Sequence, residues 1–425
     1  MSHYDQLMDG EMLRVGQVFV AGGPPTITYN PRSELNLEEQ IQDYLDEGYR
    51  ILSVSGSTKT GKTVLVRRII PPSDGIWLSG GAISSSEQFW ETIAEHLDLF
   101  TSIERTSDSK DEAWRTVTGQ ANVGILKGGA DKKEIIGSTI GEKVSRSRNV
   151  ATQVREALRG GTTPLIIDDF HYMPQDLQME IVRSLKDLIF DGLRVVVIAV
   201  PHRAYDVVRV EREMTGRVQQ ISVGFWSKEE LAGIARKGFD ALKLIDKNES
   251  LIGRLSEESF ASPHLMQDFC LQLCKSNGYR YVQDEYRQLI APDWGTFFAN
   301  RASMASKSAF DLLARGPRQR TDRKERELKS GDTTDIYGAV LAAIAHTGPG
   351  TELTYEEIRA ALKDVLASDS PQRHEVTRIL EEMTKIATKE IEGEPVVDYD
   401  VELGKLYISD PYFAFFLRWG VPGLS

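Results

Sequence analysis

An α/β fold built on a parallel sheet, with a helical segment after it and a small module of three helices and a hairpin at the end, is what this sequence predicts. Three observations carry the prediction. Tyr49-Arg50-Ile51-Leu52-Ser53-Val54-Ser55 reads as a short apolar strand running into Gly56-Ser57-Thr58-Lys59-Thr60-Gly61-Lys62-Thr63 and the helix start Val64-Leu65-Val66. That is the strand–loop–helix context a G-x-x-x-x-G-K-[ST] phosphate loop requires. Thr163-Pro164-Leu165-Ile166-Ile167-Asp168-Asp169-Phe170 is an apolar run closed by two carboxylates, as in a central parallel strand buried on both faces. Near the C-terminus, three helix patterns precede two strand patterns, which is the order of a winged helix. The expected fold is a P-loop three-layer αβα core with a parallel sheet, a helical lid and a C-terminal winged-helix domain.

At 425 residues the chain is too long for one ordinary core, and roughly two or three domains are expected. An apolar fraction of 40% with 27% charged residues is an ordinary soluble composition. No run of about 18 apolar residues offers a membrane span, and the polar, acidic N-terminus lacks a signal pattern, so a cytoplasmic protein is expected. Cys270 and Cys274 lie one helical turn apart with no second pair nearby, which favours buried core thiols over a metal site or a disulfide. The net charge of −12 argues against a wholly basic nucleic-acid binder. One local patch remains: Arg315, Arg318, Arg320, Arg323, Lys324, Arg326 and Lys329. It reads either as a solvated linker or as a phosphate-contacting segment.

Along the chain, residues 1–35 form an N-terminal segment with the loop signal Gly22-Gly23-Pro24-Pro25; within it, 27–31 is a candidate for adenine contact. The core is expected over 36–224. It opens with an acidic helix through Leu37, Ile41, Tyr44 and Leu45, then the phosphate loop, then a strand at 75–79 and a helix led by Ser84 to Ser86. An insertion at 105–148 is glycine-spaced and β-like, either a plain surface insertion or a loop facing a partner or DNA. A lid is expected over 225–314, beginning at the helix cap Ser227 and continuing as helix through 279–314 with aromatic anchors such as Tyr281, Trp294 and Phe310. A basic linker at 315–332 and the winged-helix domain at 333–425 complete the chain.

The chemistry follows from these positions. Gly56 and Gly61 let the backbone wrap a phosphate with its N–H groups, and the helix after them adds its positive end. Lys62 is placed for the β- and γ-phosphates and the Thr63 hydroxyl for Mg²⁺. Residues Gly56, Ser57, Thr58, Lys59, Thr60, Gly61, Lys62, Thr63 and Val64, with Pro263 from the lid, make up the expected ATP/ADP contact set. Asp168 and Asp169 close their strand where open α/β sheets bind ligands. Asp168 is suited to hold Mg²⁺ through water and Asp169 to polarise the attacking water; the bland alternative is a cap for the helix over 176–189. Arg203, just past the strand 193–200, is the expected γ-phosphate sensor. Arg217 is either a surface arginine or a finger reaching a neighbouring subunit's nucleotide, and the second role needs an oligomer.

Together these features resemble the AAA+ and STAND ATPases, in particular the Orc/Cdc6-like and archaeal-type branch. The resemblance covers residues 25–275 and the C-terminal module. Ile166-Ile167-Asp168-Asp169-Phe170 is similar to the STAND form of the acidic strand, and Arg203 matches the arginine those proteins carry after the fourth strand. The tail from Leu406 to Trp419 resembles that of archaeal-type ATPases, and Phe225-Trp226 after Gly216-Arg217 resembles the transposon-targeting ATPases. Two positions depart: Ala261 stands where the STAND G-x-P motif has glycine, and Ser262-Pro263-His264 holds no second-sensor arginine. The resemblance offers His346 for gripping ADP. It implies an ATP-driven switch that hydrolyses ATP, forms a homo-oligomer and recruits a partner protein, in prokaryotic defence or signalling. The rival reading is a DNA-associated ATPase that binds duplex DNA through the winged helix and the basic linker.

Overall fold

The structure, a computed structural model, describes residues 12–99, 101–104, 115–118, 149–200, 217–302, 304–317, 323–348, 350, 352–367, 369–391 and 395–420. In chain order its main elements begin with α1 (Leu37–Glu47), β1 (Ile51–Ser55), α2 (Lys62–Ile69), β2 (Ile76–Ser79) and α3 (Ser86–His96). They continue with α4 (Val150–Leu158), β3 (Leu165–Asp168), α5 (Gln175–Phe190), β4 (Val195–Ala199) and β5 (Val218–Ser222). Next come α6 (Lys228–Ala241), α7 (Ser250–Glu258), α8 (Pro263–Ser276), α9 (Trp294–Ala299) and α10 (Met304–Arg315). The last group is α11 (Ile336–His346), β6 (Glu352–Thr354), α12 (Tyr355–Val365), α13 (Arg373–Glu390), β7 (Val397–Asp400), β8 (Lys405–Ile408) and α14 (Pro411–Trp419). The chain divides into two compact units. One takes Gln40–Val54 and Ile69–Ile221; the other takes the chain up to Glu39, Ser55–Arg68 and everything from Ser222 on.

The first unit is built on a five-stranded sheet in the order β2-β3-β4-β1-β5. β3 pairs in parallel with β2 and with β4, in registers that set Ser79 beside Asp168 and Leu165 beside Val195. Every residue of β1 and β4 is buried, which explains why β4 reads as an unbroken apolar run rather than an alternating one; β1 buries Ser53 and Ser55 along with its apolar residues. Phe89, Trp90 and Ile93 of α3, Val154 and Leu158 of α4, and Ile181, Leu185 and Leu188 of α5 pack against them. This is a P-loop αβα core. Of the insertion expected at 105–148, Arg115–Thr118 is described, paired antiparallel with Thr101–Glu104; the rest lies outside the described residues.

The second unit holds two clusters. In one, α6, α7 and α8 enclose Phe269, Cys270 and Cys274, with Val15, Val18 and Phe19 from the N-terminal segment. Both cysteines are free and buried as expected, and burial pushes the Cys274 thiol up to about 12. In the other, α11, α12 and α13 pack against an antiparallel sheet of order β6-β8-β7. Capping boxes start α6 at Ser227, paired with Glu230, and α12 at Thr354, paired with Glu357.

Several details differ from the sequence reading. Residues 279–314 are not one continuous helical region: Gly278 takes a positive φ of 81° and ends α8. The chain beyond it bonds outward instead, Val282 N–H to Leu13 O, Gln283 N–H to Leu242 O and Leu289 N–H to Ile245 O. The short strand β6, which pairs Glu352 with Tyr407, carries no pattern long enough to read. α10, placed in the lid by the sequence, contributes Ala309 and Leu313 to the C-terminal cluster. The basic stretch also differs. Arg323 bonds Arg315 O, Pro317 O and Asp335 and lies 4.5 Å over the Tyr337 ring. Arg315 pairs with Glu390, and Lys329 donates to Lys363 O. These side chains tie the stretch into the module, so the phosphate-contacting reading does not hold for Arg323. Arg318 and Arg320 lie outside the described residues.

Candidate nucleotide-binding site

The phosphate loop leaves β1 at Ser55 and enters α2 at Lys62. Gly56 is required by close approach: a Cβ there would meet Val223 O at 2.4 Å. Gly61 takes a φ of +93°, and a Cβ on it would meet nothing within 4 Å, so the space over this end of the loop is open. Thr60 is buried; its hydroxyl donates to Ser57 O at 2.8 Å, and its carbonyl accepts the Trp226 indole N–H at 2.9 Å. The Lys62 ammonium crosses the loop to Gly56 O at 2.6 Å and Ser57 O at 2.8 Å. Thr63 and Val64 follow in the first turn of α2. An open nest at a helix N-terminus, with an ammonium stationed across it, fits nucleotide phosphates.

Lys59 faces another way. It sits in the left-handed region at φ +58°, where a residue with a Cβ is strained by about 1 kcal/mol. Its ammonium donates to Asp410 at 3.1 Å and lies 4.2 Å over the Tyr412 ring. Asp410 also caps α14, and the Tyr412 hydroxyl is hydrogen-bonded to His264 Nδ1. His264 follows Pro263, the first residue of α8, capped by Ser262. Burial, with the Lys59 charge added, holds the His264 imidazole below its ordinary value. Phe260 and Ala261 ahead of it take positive φ values of 45° and 55°, the conformation that makes glycine the natural occupant of position 261. Ser57, Thr58, Thr60, Phe260, Ala261 and Pro411 are among the residues lining a small cleft here. The loop is thus bordered by lid and C-terminal residues.

The N-terminal segment packs on the lid. Thr28 bonds Val18 O and Gln267, and Tyr29 donates to Glu38. Arg32, 6% exposed, donates to Gly224 O, Phe225 O and the Glu230 carboxylate. Burial works to raise the Glu230 carboxyl, but the Arg32 guanidinium and the Ser227 N–H outweigh it and hold the group below the usual range.

In the other unit, Asp168 ends β3 and Asp169 follows at φ +53°, its N–H bonded to Asp168 Oδ1 at 3.0 Å. The N-cap position of α5 is Pro174. Carboxylate and hydroxyl oxygens, such as those of Asp168 and Thr63, are the hard donors Mg²⁺ prefers. Such an ion is usually held together with substrate phosphates rather than by a cage of side chains. Arg217 is exposed at the start of β5, where its carbonyl accepts the Ile51 N–H, and its guanidinium lies 5.9 Å over the Phe190 ring. It therefore occupies the sheet edge opposite the strands' C-terminal ends. Arg203 lies outside the described residues. His346 ends α11 with Nε2 3.9 Å from Asp364. Sequence reasoning missed Arg32, Asp410 and Tyr412. Their partners lie far along the chain, and no local pattern marks them.

No family model matches the chain, and no curated protein matches it. Among solved structures, the Walker-type ATPase PABY2304 of Pyrococcus abyssi is similar at 13% identity, covering 90% of this chain and 94% of that one, with a TM-score of 0.49. The chain resembles Orc/Cdc6-like P-loop ATPases. The Aeropyrum pernix ORC2 protein, in its ADPNP–ADP complexes, is similar at 11% identity over 96% of both chains, TM-score 0.49. The Aeropyrum pernix ORC1 protein in complex with DNA is similar at 13% identity over 94% and 95%, TM-score 0.43. Identities this low leave every residue role to the geometry of this chain.

Proposed function

We propose that the protein is an ATP-binding, ATP-hydrolysing switch of the AAA+/STAND type that assembles with copies of itself and acts on a partner protein, in a defence or signalling setting. The observation that carries the reading is the phosphate loop, an open backbone nest at the start of α2 with Lys62 across it. In this reading the N–H groups of residues 56–64 cradle the phosphates and Lys62 moves from Gly56 O and Ser57 O to the β- and γ-phosphates. Thr63 and Asp168, the latter through water, would hold Mg²⁺, which supplies charge neutralisation at the phosphates. Asp169 orients and polarises the attacking water. Arg203 reads the γ-phosphate. Arg217, exposed at the opposite sheet edge, serves a neighbouring subunit's site. The turn before Pro263 closes over the nucleotide. Lys62→Ala should abolish nucleotide binding, whereas Asp169→Asn should keep binding and stop turnover; full turnover in Asp169→Asn would sink the assignment.

A second reading has its own observation. The order α11-α12-α13 followed by the β7–β8 hairpin supports a winged-helix reading, and Arg359, Arg373, His374 and Thr377 line an open groove there. Duplex DNA bound there would show affinity falling steeply with salt and lost in an Arg359→Ala/Arg373→Ala double variant. No binding at low salt would remove this reading.

A further inference from the structure

The phosphate loop is gripped from behind by the segment that leads into the lid. A planar peptide carries its C=O and its N–H on opposite sides. The Thr60–Gly61 peptide gives its C=O to the Trp226 indole N–H at 2.9 Å, so the Gly61 N–H is turned to the opposite face of the loop. Gly61, at φ +93° with open space around it, offers little resistance of its own to a flip of this peptide. The same segment abuts the loop's other end: Val223 N–H bonds Ser55 O at 2.6 Å, and Val223 O lies 2.4 Å from where a Cβ on Gly56 would sit. Trp226 is itself held. The Arg32 guanidinium lies 4.9 Å over its ring and donates to Gly224 O at 2.9 Å and Phe225 O at 2.8 Å.

We propose that Trp226 is a positioning residue for phosphate: its indole N–H fixes the Thr60–Gly61 peptide so that the Gly61 N–H faces the bound phosphate, and Arg32 fixes the indole. The proposal rests on the nucleotide-binding reading above.

The test uses the full chain carrying Trp226→Phe, which keeps a smaller ring beneath Arg32 and removes the N–H donor. ATP, ADP and inorganic tripolyphosphate are titrated calorimetrically, with the unliganded melting temperature as the control for folding. All three dissociation constants should rise by about fivefold to tenfold, the value of one hydrogen bond, while KM rises and kcat holds. Arg32→Lys, which loses the fork to both carbonyls but leaves the indole, should weaken the same three ligands by a smaller factor; it is also the decisive variant if Trp226→Phe fails to fold. Unchanged affinities in a folded variant overturn the proposal. So does a loss confined to ATP and ADP with tripolyphosphate unaffected, which would place Trp226 against the base. A wild-type protein that binds none of the three would instead overturn the nucleotide-binding reading itself.

Discussion

A methyl group at Gly80 tests the proposed role of Asp169 without touching the phosphate loop. A Cβ at Gly80 would lie 2.3 Å from Asp169 O, 2.8 Å from its carbonyl carbon and 3.1 Å from Phe170 Cα. All three are backbone atoms, so no side chain can swing away. Carbon–oxygen contacts of this kind settle at roughly 3.3 Å, and the turn carrying Asp169 must retreat by about 1 Å. Overpacking of this size costs about 1–3 kcal/mol of stability. Asp169 is already at φ +53°, so its backbone has little room to absorb the shift by rotating. Displacing a reacting group by about 1 Å costs on the order of a hundredfold in rate. Gly80→Ala should therefore lower ATP turnover about a hundredfold and leave the ATP dissociation constant unchanged. The neighbouring Gly81→Ala is the control, because a Cβ there meets nothing nearer than Tyr172 at 3.7 Å. Phosphate release at saturating ATP, with nucleotide titration alongside, makes the comparison. Equal turnover in the two variants would refute the reasoning.

Two further outcomes are expected. The Glu258 carboxylate, fully buried, accepts the Trp419 indole N–H at 2.8 Å and pairs with Arg254 and Arg418 at 3.1 Å each, clasping α7 to α14. Both arginines are about a third exposed and can turn to water, so Glu258→Gln should cost about 2 kcal/mol rather than the full penalty of a broken buried pair; an unchanged urea midpoint would show that the clasp adds nothing. His264 titrates lower in the folded protein than its ordinary 6.5, mainly through burial and then through Lys59, with Asp268 and Asp410 opposing. The unfolded chain therefore binds the proton more readily. Stability should be full above about pH 6.5, fall as the pH drops below it, and level off beneath the lowered folded value. His264→Gln should flatten that part of the curve, and an identical curve in the variant would remove His264 as its cause.

Contiguous residues were enough to read the phosphate loop, the carboxylate-ended strand, the free buried cysteines and most of the helices. Each of these is written in contiguous residues: glycines where a backbone must wrap, an apolar run where a strand is buried on both faces, a capping serine where a helix starts. Gly56, Gly61 and Lys62 were legible for that reason. Which distant groups complete the loop depends on how the chain folds back on itself. Trp226 lies 166 residues from the carbonyl it bonds and Asp410 lies 351 residues from Lys59, and a single side chain at such a distance leaves no periodic trace. The same limit explains Arg323. Composition counts a positive charge in a basic run, but whether that charge meets solvent, phosphate or Asp335 depends on how the chain folds back. Burial and pairing arise from three-dimensional proximity, which local pattern specifies for elements but not for the contacts between them.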